Sequence, residues 1–136
     1  MRNVRLVAIE GIGETYGAKL AAQGLKSTAD LLAAADTAAK RKKLAEAVGL
    51  TEKQILEWAN RADLFRIKGV GTQFSDLLEK AGVDTVAELA KRVPENLHAK
   101  LLEVNAEKKL VRRAPTLKEV QAWVAHAKEL PRALHY

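Results

Sequence analysis

The chain repeats itself, and this internal repeat limits the folds open to the sequence more than any other feature does. When Gly11 is aligned with Gly69, an offset of 58, apolar, aromatic and glycine positions come into register. The matched pairs are Ile9 with Ile67, Ile12 with Val70, Gly13 with Gly71, Tyr16 with Phe74, Leu20 with Leu78, Gly24 with Gly82 and Leu31 with Leu89. This order of matches predicts two related units with pseudo-symmetric surfaces, residues 1–64 and residues 65–136.

The second unit carries an insertion, because the offset later grows to 65, where Trp58 meets Trp123. The additional residues fall within the segment 105–114, which is predicted to be an exposed basic excursion. Its basic residues are Lys108, Lys109, Arg112 and Arg113. Both tryptophans lie at helical spacing with apolar neighbours, so we expect them to pack in the core.

Helix signals recur along the whole chain. Apolar residues follow helical spacing, and several runs open with a hydroxyl residue that an acid or amide follows three positions later. Hydrophobic residues make up 48% of the chain but aromatic residues only 4%, which favours closely packed helices of Leu, Ala, Val and Ile. The predicted helices span residues 14–23, 28–35, 38–48, 51–63, 72–81, 85–92, 94–104 and 116–130. The sequence thus predicts an all-α protein.

Composition narrows the classes of protein further. The chain has no cysteine, which excludes disulfide scaffolds and thiolate metal sites and is typical of a reducing cytoplasm. No apolar run resembles a signal peptide or could span a bilayer, so we expect a cytoplasmic protein with no membrane partner. The net charge of +6 favours polyanionic partners. The basic run at 40–43 is interpreted as a solvated helix surface.

Catalytic patterns are missing from the sequence. The three histidines, His98, His126 and His135, lack metal-ligand spacing, and packing or surface roles are expected for them. A dinucleotide-binding loop would need a third glycine where Tyr16 stands, and the spacing of a phosphate-binding Walker loop is absent as well. We therefore predict a protein that is not an enzyme and has no catalytic residue, metal or cofactor.

Two glycine hairpins, residues 9–13 and 67–71, come directly before predicted helices. A Gly-apolar-Gly turn permits unusual backbone angles, so the central Ile12 or Val70 can enter the core while N–H groups point outward. The helix that follows contributes further free N–H groups and the positive end of its dipole. Each hairpin is therefore predicted to be suited to an anion such as phosphate.

These residues resemble the helix-hairpin-helix motif of DNA repair, recombination and replication proteins, with Gly17 and Ser75 at the motif's small-residue position. The two-copy arrangement is similar to an uncharacterised bacterial family of paired helix-hairpin-helix-like, or SAM-like, domains. The resemblance implies that main-chain amides hold DNA backbone phosphates without reading sequence. It also implies that hairpin carbonyls can hold a monovalent cation alongside DNA.

The second hairpin is the better candidate for binding. Glu10 and Glu14 flank the glycines of the first hairpin with charges that repel phosphate, whereas Lys68 precedes the glycines of the second. The residues predicted to bind nucleic acid are Lys68, Gly69, Val70, Gly71, Thr72 and Gln73, with Gly11 and Gly13 of the first hairpin and Lys108, Lys109, Arg112 and Arg113 of the insertion.

The sequence leaves two functions open. The first is a non-catalytic module that binds the DNA phosphate backbone irrespective of sequence, with RNA as a further candidate ligand. The alternative is a protein-interaction or scaffolding adaptor, favoured by the acids near the first hairpin and by the alanine-rich stretch 29–47. The oligomeric state, and whether one hairpin or both bind, stay open.

Overall fold

The computed structural model describes residues 4–9 and 11–136, with Val7 described by its backbone alone. Within these ranges the chain forms a 3-10 turn at Leu6–Ala8 followed by eight α-helices. The helices are α1 Gly13–Ala21, α2 Thr28–Ala34, α3 Ala38–Val48, α4 Glu52–Leu64, α5 Thr72–Lys80, α6 Val86–Ala90, α7 Pro94–Lys108 and α8 Leu117–Glu129. The same ranges contain no strand, only an isolated bridge between Arg5 and Ser27. The predicted all-α fold is confirmed.

Hydroxyl side chains cap several helices, as the sequence predicts. The side-chain oxygens of Ser27, Thr51 and Thr116 each accept a hydrogen bond from the main-chain N–H three residues later. The acid or amide at that third position accepts in return from the N–H of the cap residue. Such reciprocal bonds satisfy two donors that a helix leaves unpaired. Helix α3 coincides with the predicted span 38–48, and α5 begins at the predicted Thr72.

The insertion of the second unit departs most from its prediction. Helix α7 continues four residues past its predicted end, to Lys108, and stops where Lys109 adopts a left-handed φ of +52°. The side chain of Asn105 then donates to the carbonyl of Val111 at 3.1 Å and accepts from the N–H of Val111 at 2.9 Å. Val111 is buried in the core. The prediction of an exposed excursion throughout 105–114 is therefore wrong: part of it is helix, and Val111 anchors it.

The buried apolar side chains form two clusters. Helices α2 and α3 pack on α4 around the first cluster, and α6 and α7 pack on α8 around the second. Trp58 lies in the first cluster and Trp123 in the second, so the predicted core role of both tryptophans is confirmed. The neighbours Leu64 and Phe65 enter opposite clusters, Leu64 the second and Phe65 the first. No helix of the described ranges is long and apolar enough to cross a membrane.

A buried ionic network joins the end of α4 to later parts of the chain. One carboxylate oxygen of Asp63 accepts from the guanidinium of Arg66 at 2.8 Å, and the other accepts from the N–H of Val86, the first residue of α6, at 2.8 Å. Arg66 also donates to the carbonyl of Pro131 at 2.6 Å. Asp63 and Arg66 are both buried, so removing either residue would leave the charge of the other buried without its counter-ion.

The C-terminal segment returns to the first cluster. Leu134 is buried there, and the guanidinium of Arg41 donates to the carbonyl of His135 at 2.8 Å and to that of Ala35 at 2.9 Å. The hydroxyl of Tyr136 donates to the side chain of Asn60 at 2.9 Å. Arg41 is only 4% exposed, so interpreting the whole run 40–43 as a solvated surface is wrong at this residue.

Candidate nucleic-acid interface

Backbone conformation and close packing both require a glycine at position 69 of the second hairpin. Gly69 has a φ of +89°, a backbone conformation that side chains disfavour. A Cβ at this position would also lie 3.3 Å from Nε1 of Trp123. The next residue, Val70, is fully buried, and its N–H donates to the carbonyl of Ile67 at 3.1 Å. Gly69 thus presents backbone to solvent, while the side chain of Val70 is buried as the sequence predicts.

The helix that leaves this hairpin begins without a side-chain cap. Gly71 occupies the cap position with extended backbone, and it can offer no side-chain oxygen. In the described part of the chain, the main-chain N–H groups of Thr72 and Gln73 have no acceptor. Unpaired N–H groups at a helix N-terminus, together with the helix dipole, attract anions. These amides are the main-chain donors that the proposed phosphate site requires.

The side chain of Thr72 has a structural role. Its hydroxyl donates to the carbonyl of Ala8 at 2.6 Å, which ties the start of α5 to the turn before the first hairpin. Ser75, at the small-residue position of the motif, is fully buried and donates to the carbonyl of Thr72 at 3.0 Å. The hydroxyl proton of Thr72 is therefore used within the protein, and the donor that Thr72 can offer a ligand is its main-chain N–H.

A cavity of about 770 Å³ lies beside the second hairpin and is lined by basic groups. The charged or titratable side chains in its wall are Arg66, Lys68, His126 and Arg132, and among the described residues no carboxylate lines it. Arg66 is paired with Asp63, whereas Lys68 and Arg132 form no ion pair within the described ranges. The cavity therefore concentrates positive charge at Lys68, four residues before the first residue of α5.

His126 is held against the hairpin backbone. The N–H of Lys68 donates to its Nδ1 atom at 3.2 Å. Because Nδ1 accepts this bond, the neutral imidazole carries its proton on Nε2. The Nε2–H group has no acceptor elsewhere in the described part of the chain. The imidazole thus provides a donor at the cavity wall, a role that the sequence reasoning did not assign to it.

Of the four basic residues of the insertion, Arg113 forms an ion pair within the described ranges and the other three form none. Arg113 forms a bidentate pair with Glu119, with N–O distances of 2.7 and 3.1 Å, and its guanidinium lies 5.8 Å from the ring centre of Phe74. This guanidinium and the N–H of Thr116 together lower the pKa of Glu119 to about 2. Arg113 therefore stays exposed, as predicted for the insertion, but its charge is partly neutralised by the ion pair with Glu119.

The other three basic residues of the insertion stay exposed. Lys108, Lys109 and Arg112 form no ion pair within the described ranges. Contacts connect Arg113 to the second hairpin, because the ring of Phe74 packs 5.2 Å from that of Trp123, whose indole borders the hairpin. No equivalent chain of contacts links Lys108 or Lys109 to the hairpin among the described residues.

The first hairpin has a similar backbone. Gly11 has a φ of +92°, and Ile12 is buried. A Cβ on Gly11 would lie 3.8 Å from Nε1 of Trp58. The rings of Tyr16 and Trp58 are 5.4 Å apart at 53°, and those of Phe74 and Trp123 are 5.2 Å apart at 54°. Glu10 and its predicted repulsion of phosphate lie outside the described residues.

The charges around the first hairpin differ from those around the second. A pocket of about 600 Å³ beside Gly11 includes three carboxylates, those of Glu57, Glu79 and Asp84. Its basic members are Lys80 and Arg61. Two acids of α5 hold Arg61: it contacts Asp76 at 3.0 Å and also pairs with Glu79. The pocket thus offers an anion more repulsion and fewer free cations than the cavity at the second hairpin.

The cavity of the second hairpin includes groups that the sequence reasoning missed. Arg66 and Arg132 received no role from the sequence, and His126 was expected only to pack or to lie at the surface. The offset of 65 aligns His126 with Arg61, which lines the pocket of the first hairpin, so the repeat contained a usable signal. No comparable signal exists for Arg132, because the returning C-terminal segment places it there. In the described residues, no group of three or more His, Asp or Glu side chains could hold a metal ion.

Comparison with known families gives one match. A family model described as a domain of unknown function, DUF4332, matches residues 10–130. The chain therefore belongs to that family. No solved structure matches it.

Proposed function

We propose that this member of the DUF4332 family is a non-catalytic module that binds the phosphate backbone of nucleic acid at its second glycine hairpin. The observation that carries the proposal is that two kinds of donor for phosphate belong to one short stretch of chain, residues 68–73. Unpaired main-chain amides at the start of α5 follow a hairpin whose flank forms a cavity with the unpaired cations Lys68 and Arg132. The resemblance of both hairpins to the helix-hairpin-helix motif supports the same conclusion.

Such a site would recognise phosphates without reading bases. Main-chain N–H groups, lysine and arginine contact phosphate oxygens, and these contacts carry no direct sequence information. DNA is the expected ligand, with RNA as a second candidate, and the protein is expected to work in the cytoplasm. Because each neutralised phosphate releases counterions, log K should fall with log salt by about 0.9 per phosphate contact on duplex DNA.

We further propose that the two halves are tandem helix-hairpin-helix-like, SAM-like units that share one ancestor and differ in use. The matching aromatic pairs beside Gly11 and Gly69 support a common design. The carboxylates near Gly11 make the first hairpin the weaker site for phosphate. In this proposal Gly11 and Gly13 support the fold, and the second hairpin binds.

Fluorescence anisotropy tests the proposal. Labelled single-stranded, duplex and branched DNA, and RNA, would be titrated at about 50 and 200 mM salt. We expect micromolar or tighter binding that weakens steeply at the higher salt and varies little with base sequence. The absence of binding to any of these at the lower salt would overturn the proposal.

Gly71 offers a sharp variant for the same experiment. Its φ of −108° is open to any residue, and a Cβ there would have no neighbour within 4 Å. Gly71→Glu therefore brings a carboxylate to the free amides without backbone strain, and Gly71→Gln is its neutral, equally sized control. We expect the glutamate variant to lose roughly tenfold in affinity or more, as when a charged hydrogen bond is replaced by repulsion. Equal affinities for the two variants would place the site elsewhere.

The adaptor function has one observation in its favour. A shallow cavity of about 250 Å³ in and beside the alanine-rich stretch is lined by Leu25, Ala34, Leu44 and Ala47, with Lys40 and Lys43 at its edge. A second helix could bury these small apolar side chains. Light scattering and partner capture would test this function, and a strict monomer that captures no protein would argue against it.

A further inference from the structure

The cavity beside the second hairpin contains more positive charge than one backbone phosphate needs. Lys68 contributes an ammonium group, Arg132 a guanidinium and His126 an Nε2–H donor, and Arg66 forms part of the wall. A phosphodiester carries a single negative charge. A terminal phosphate monoester carries about −1.5 to −2 at pH 7 and three acceptor oxygens. The charge and the number of donors therefore suit a monoester better than a diester.

Arg66, His126 and Arg132 are held in place by bonds to the protein, whereas the exposed side chain of Lys68 forms none within the described ranges. Arg132 donates through Nε to the carbonyl of Leu134 at 2.8 Å, and its guanidinium lies 5.8 Å from the ring centre of Tyr136. The remaining guanidinium N–H groups of Arg132 meet no acceptor within the described ranges. His126 is oriented by its bond from the N–H of Lys68. A ligand thus meets donors that are already oriented, so less side-chain entropy is lost on binding.

The rest of the wall is apolar. Leu130, Pro131 and Ala133 line the cavity beside the charged groups, and its volume of about 770 Å³ falls within the usual range for small-ligand sites. The C-terminal segment supplies Pro131, Arg132 and Ala133, so the site is complete only while that segment is docked.

We infer that this cavity binds the phosphate monoester at the end of a nucleic-acid strand. The inference rests on the proposed function, since the free amides at the start of α5 hold the backbone of the same strand. With both subsites, the protein binds the phosphorylated end of a strand. Internal backbone has no monoester and so would leave the cavity subsite empty.

The test compares strand ends on one duplex. Duplexes of identical sequence, labelled away from the end under test, would carry a 5′-phosphate, a 3′-phosphate or only hydroxyl groups. We expect one phosphorylated end to bind roughly tenfold more tightly than the hydroxyl end, the effect of about one charge-assisted hydrogen bond. Inorganic phosphate at millimolar concentration should reduce this preference while leaving hydroxyl-ended DNA bound.

Variants locate the preference in the cavity. Arg132→Gln should abolish the preference, measured as the ratio of the affinities for the phosphorylated and the hydroxyl end. Because Arg132 also lines the cavity of the proposed backbone site, hydroxyl-ended DNA should weaken as well, but less than phosphorylated DNA. Arg132→Lys, which keeps a charge, should retain part of the preference. Lys128→Gln is the matched control, because Lys128 is exposed nearby but does not line this cavity. Circular dichroism would show that each variant keeps its helices.

The outcomes separate this inference from the proposed function. Equal affinity for phosphorylated and hydroxyl ends would overturn the inference while leaving backbone binding intact. A preference that survives Arg132→Gln would also overturn it, because the monoester would then bind elsewhere. Failure to bind any of the duplexes would overturn the proposed function together with this inference.

Discussion

The two glycine hairpins have nearly the same backbone and very different surroundings. Gly11 and Gly69 have φ angles of +92° and +89°, and the indole of a buried tryptophan borders each of them. Three carboxylates stand in the pocket beside Gly11. The cavity beside the second hairpin includes Lys68, the residue before Gly69. Among the described residues no carboxylate lines this cavity, and basic groups line it instead.

This difference separates what the hairpin does for the fold from what it does for a ligand. In both hairpins the glycine permits a left-handed turn against tryptophan, and the next residue is buried. These are packing requirements. Most of these charges come from outside the two turns, from Glu57 and Asp84 beside the first hairpin and from Arg66 and Arg132 beside the second. A shared backbone motif therefore does not imply a shared function.

Matched core substitutions should give the largest effects and would test whether the halves are independent. Ile9 and Ile67 are equivalent in the repeat, and each is buried in a different cluster. Ile9→Ala and Ile67→Ala should each lower the free energy of unfolding by about 2–5 kcal/mol. Because Leu64, Phe65 and the Asp63 network cross between the halves, we expect both variants to shift one cooperative transition.

Urea unfolding followed by tryptophan fluorescence and by circular dichroism would measure this. For each protein, the two probes should give coincident curves with a single midpoint. That midpoint should be lower in both variants than in the parent. Two resolved transitions, with Ile9→Ala moving only one, would show that the halves unfold separately and that the crossing contacts are weak.

Glycine substitutions should give intermediate effects and would compare the two turns directly. Gly11→Ala and Gly69→Ala each put a side chain at positive φ, which costs roughly 1–2 kcal/mol. The added Cβ would lie 3.8 Å from Trp58 at Gly11 but 3.3 Å from Trp123 at Gly69, so we expect the second variant to be the less stable.

Gly71→Ala is the control for these variants. Gly71 has negative φ and open space around it, so the substitution should be neutral or slightly stabilising in urea unfolding. If Gly11→Ala were the more destabilising of the first pair, the tryptophan contact would not account for the difference between the two turns.

Local sequence signals were sufficient to predict much of the fold. Thr51 with Gln54 and Thr116 with Glu119 form the predicted capping boxes, because such caps depend on residues three apart. The span of α3 follows from its cap at Thr37 and from the glycine that ends it. Where a feature depends on neighbouring residues alone, the prediction was accurate.

Tertiary contacts account for the failures. Arg41 is buried because carbonyls of Ala35 and of the distant His135 accept from it, which its basic neighbours did not indicate. Helix α7 ends at Lys108, where Lys109 takes the left-handed conformation. A glycine is usual at that position, so the lysine gave no sign in the sequence of where the helix ends. Arg132 joins the candidate site only through the path of the C-terminal segment. The site was thus predictable at its hairpin but not at its cavity.

The smallest effect should come from a charge difference between two equivalent capping boxes. Gln54 in the first half aligns with Glu119 in the second, and only Glu119 pairs with an arginine of the insertion, Arg113. The guanidinium of Arg113 and the N–H of Thr116 lower the pKa of Glu119 from 4.5 to about 2. A carboxylate with a lowered pKa stabilises the fold above its unfolded pKa, and that stabilisation is lost as pH falls from about 4.5 towards 2.

Glu119→Gln gives the capping box of α8 the same amide that Gln54 provides in the capping box of α4. The variant should therefore lose the pH dependence of stability that the Glu119 carboxylate causes. Glu119 keeps 34% of its side chain exposed, so we expect a loss below about 1 kcal/mol at neutral pH. The difference from the parent should shrink between pH 4.5 and 2, because the parent carboxylate is protonated there. Gln54→Glu is the reciprocal control, and it should gain little because the first half lacks an equivalent of Arg113. Urea midpoints across this pH range would measure both variants, and a constant difference between parent and Glu119→Gln would contradict the role of the ion pair.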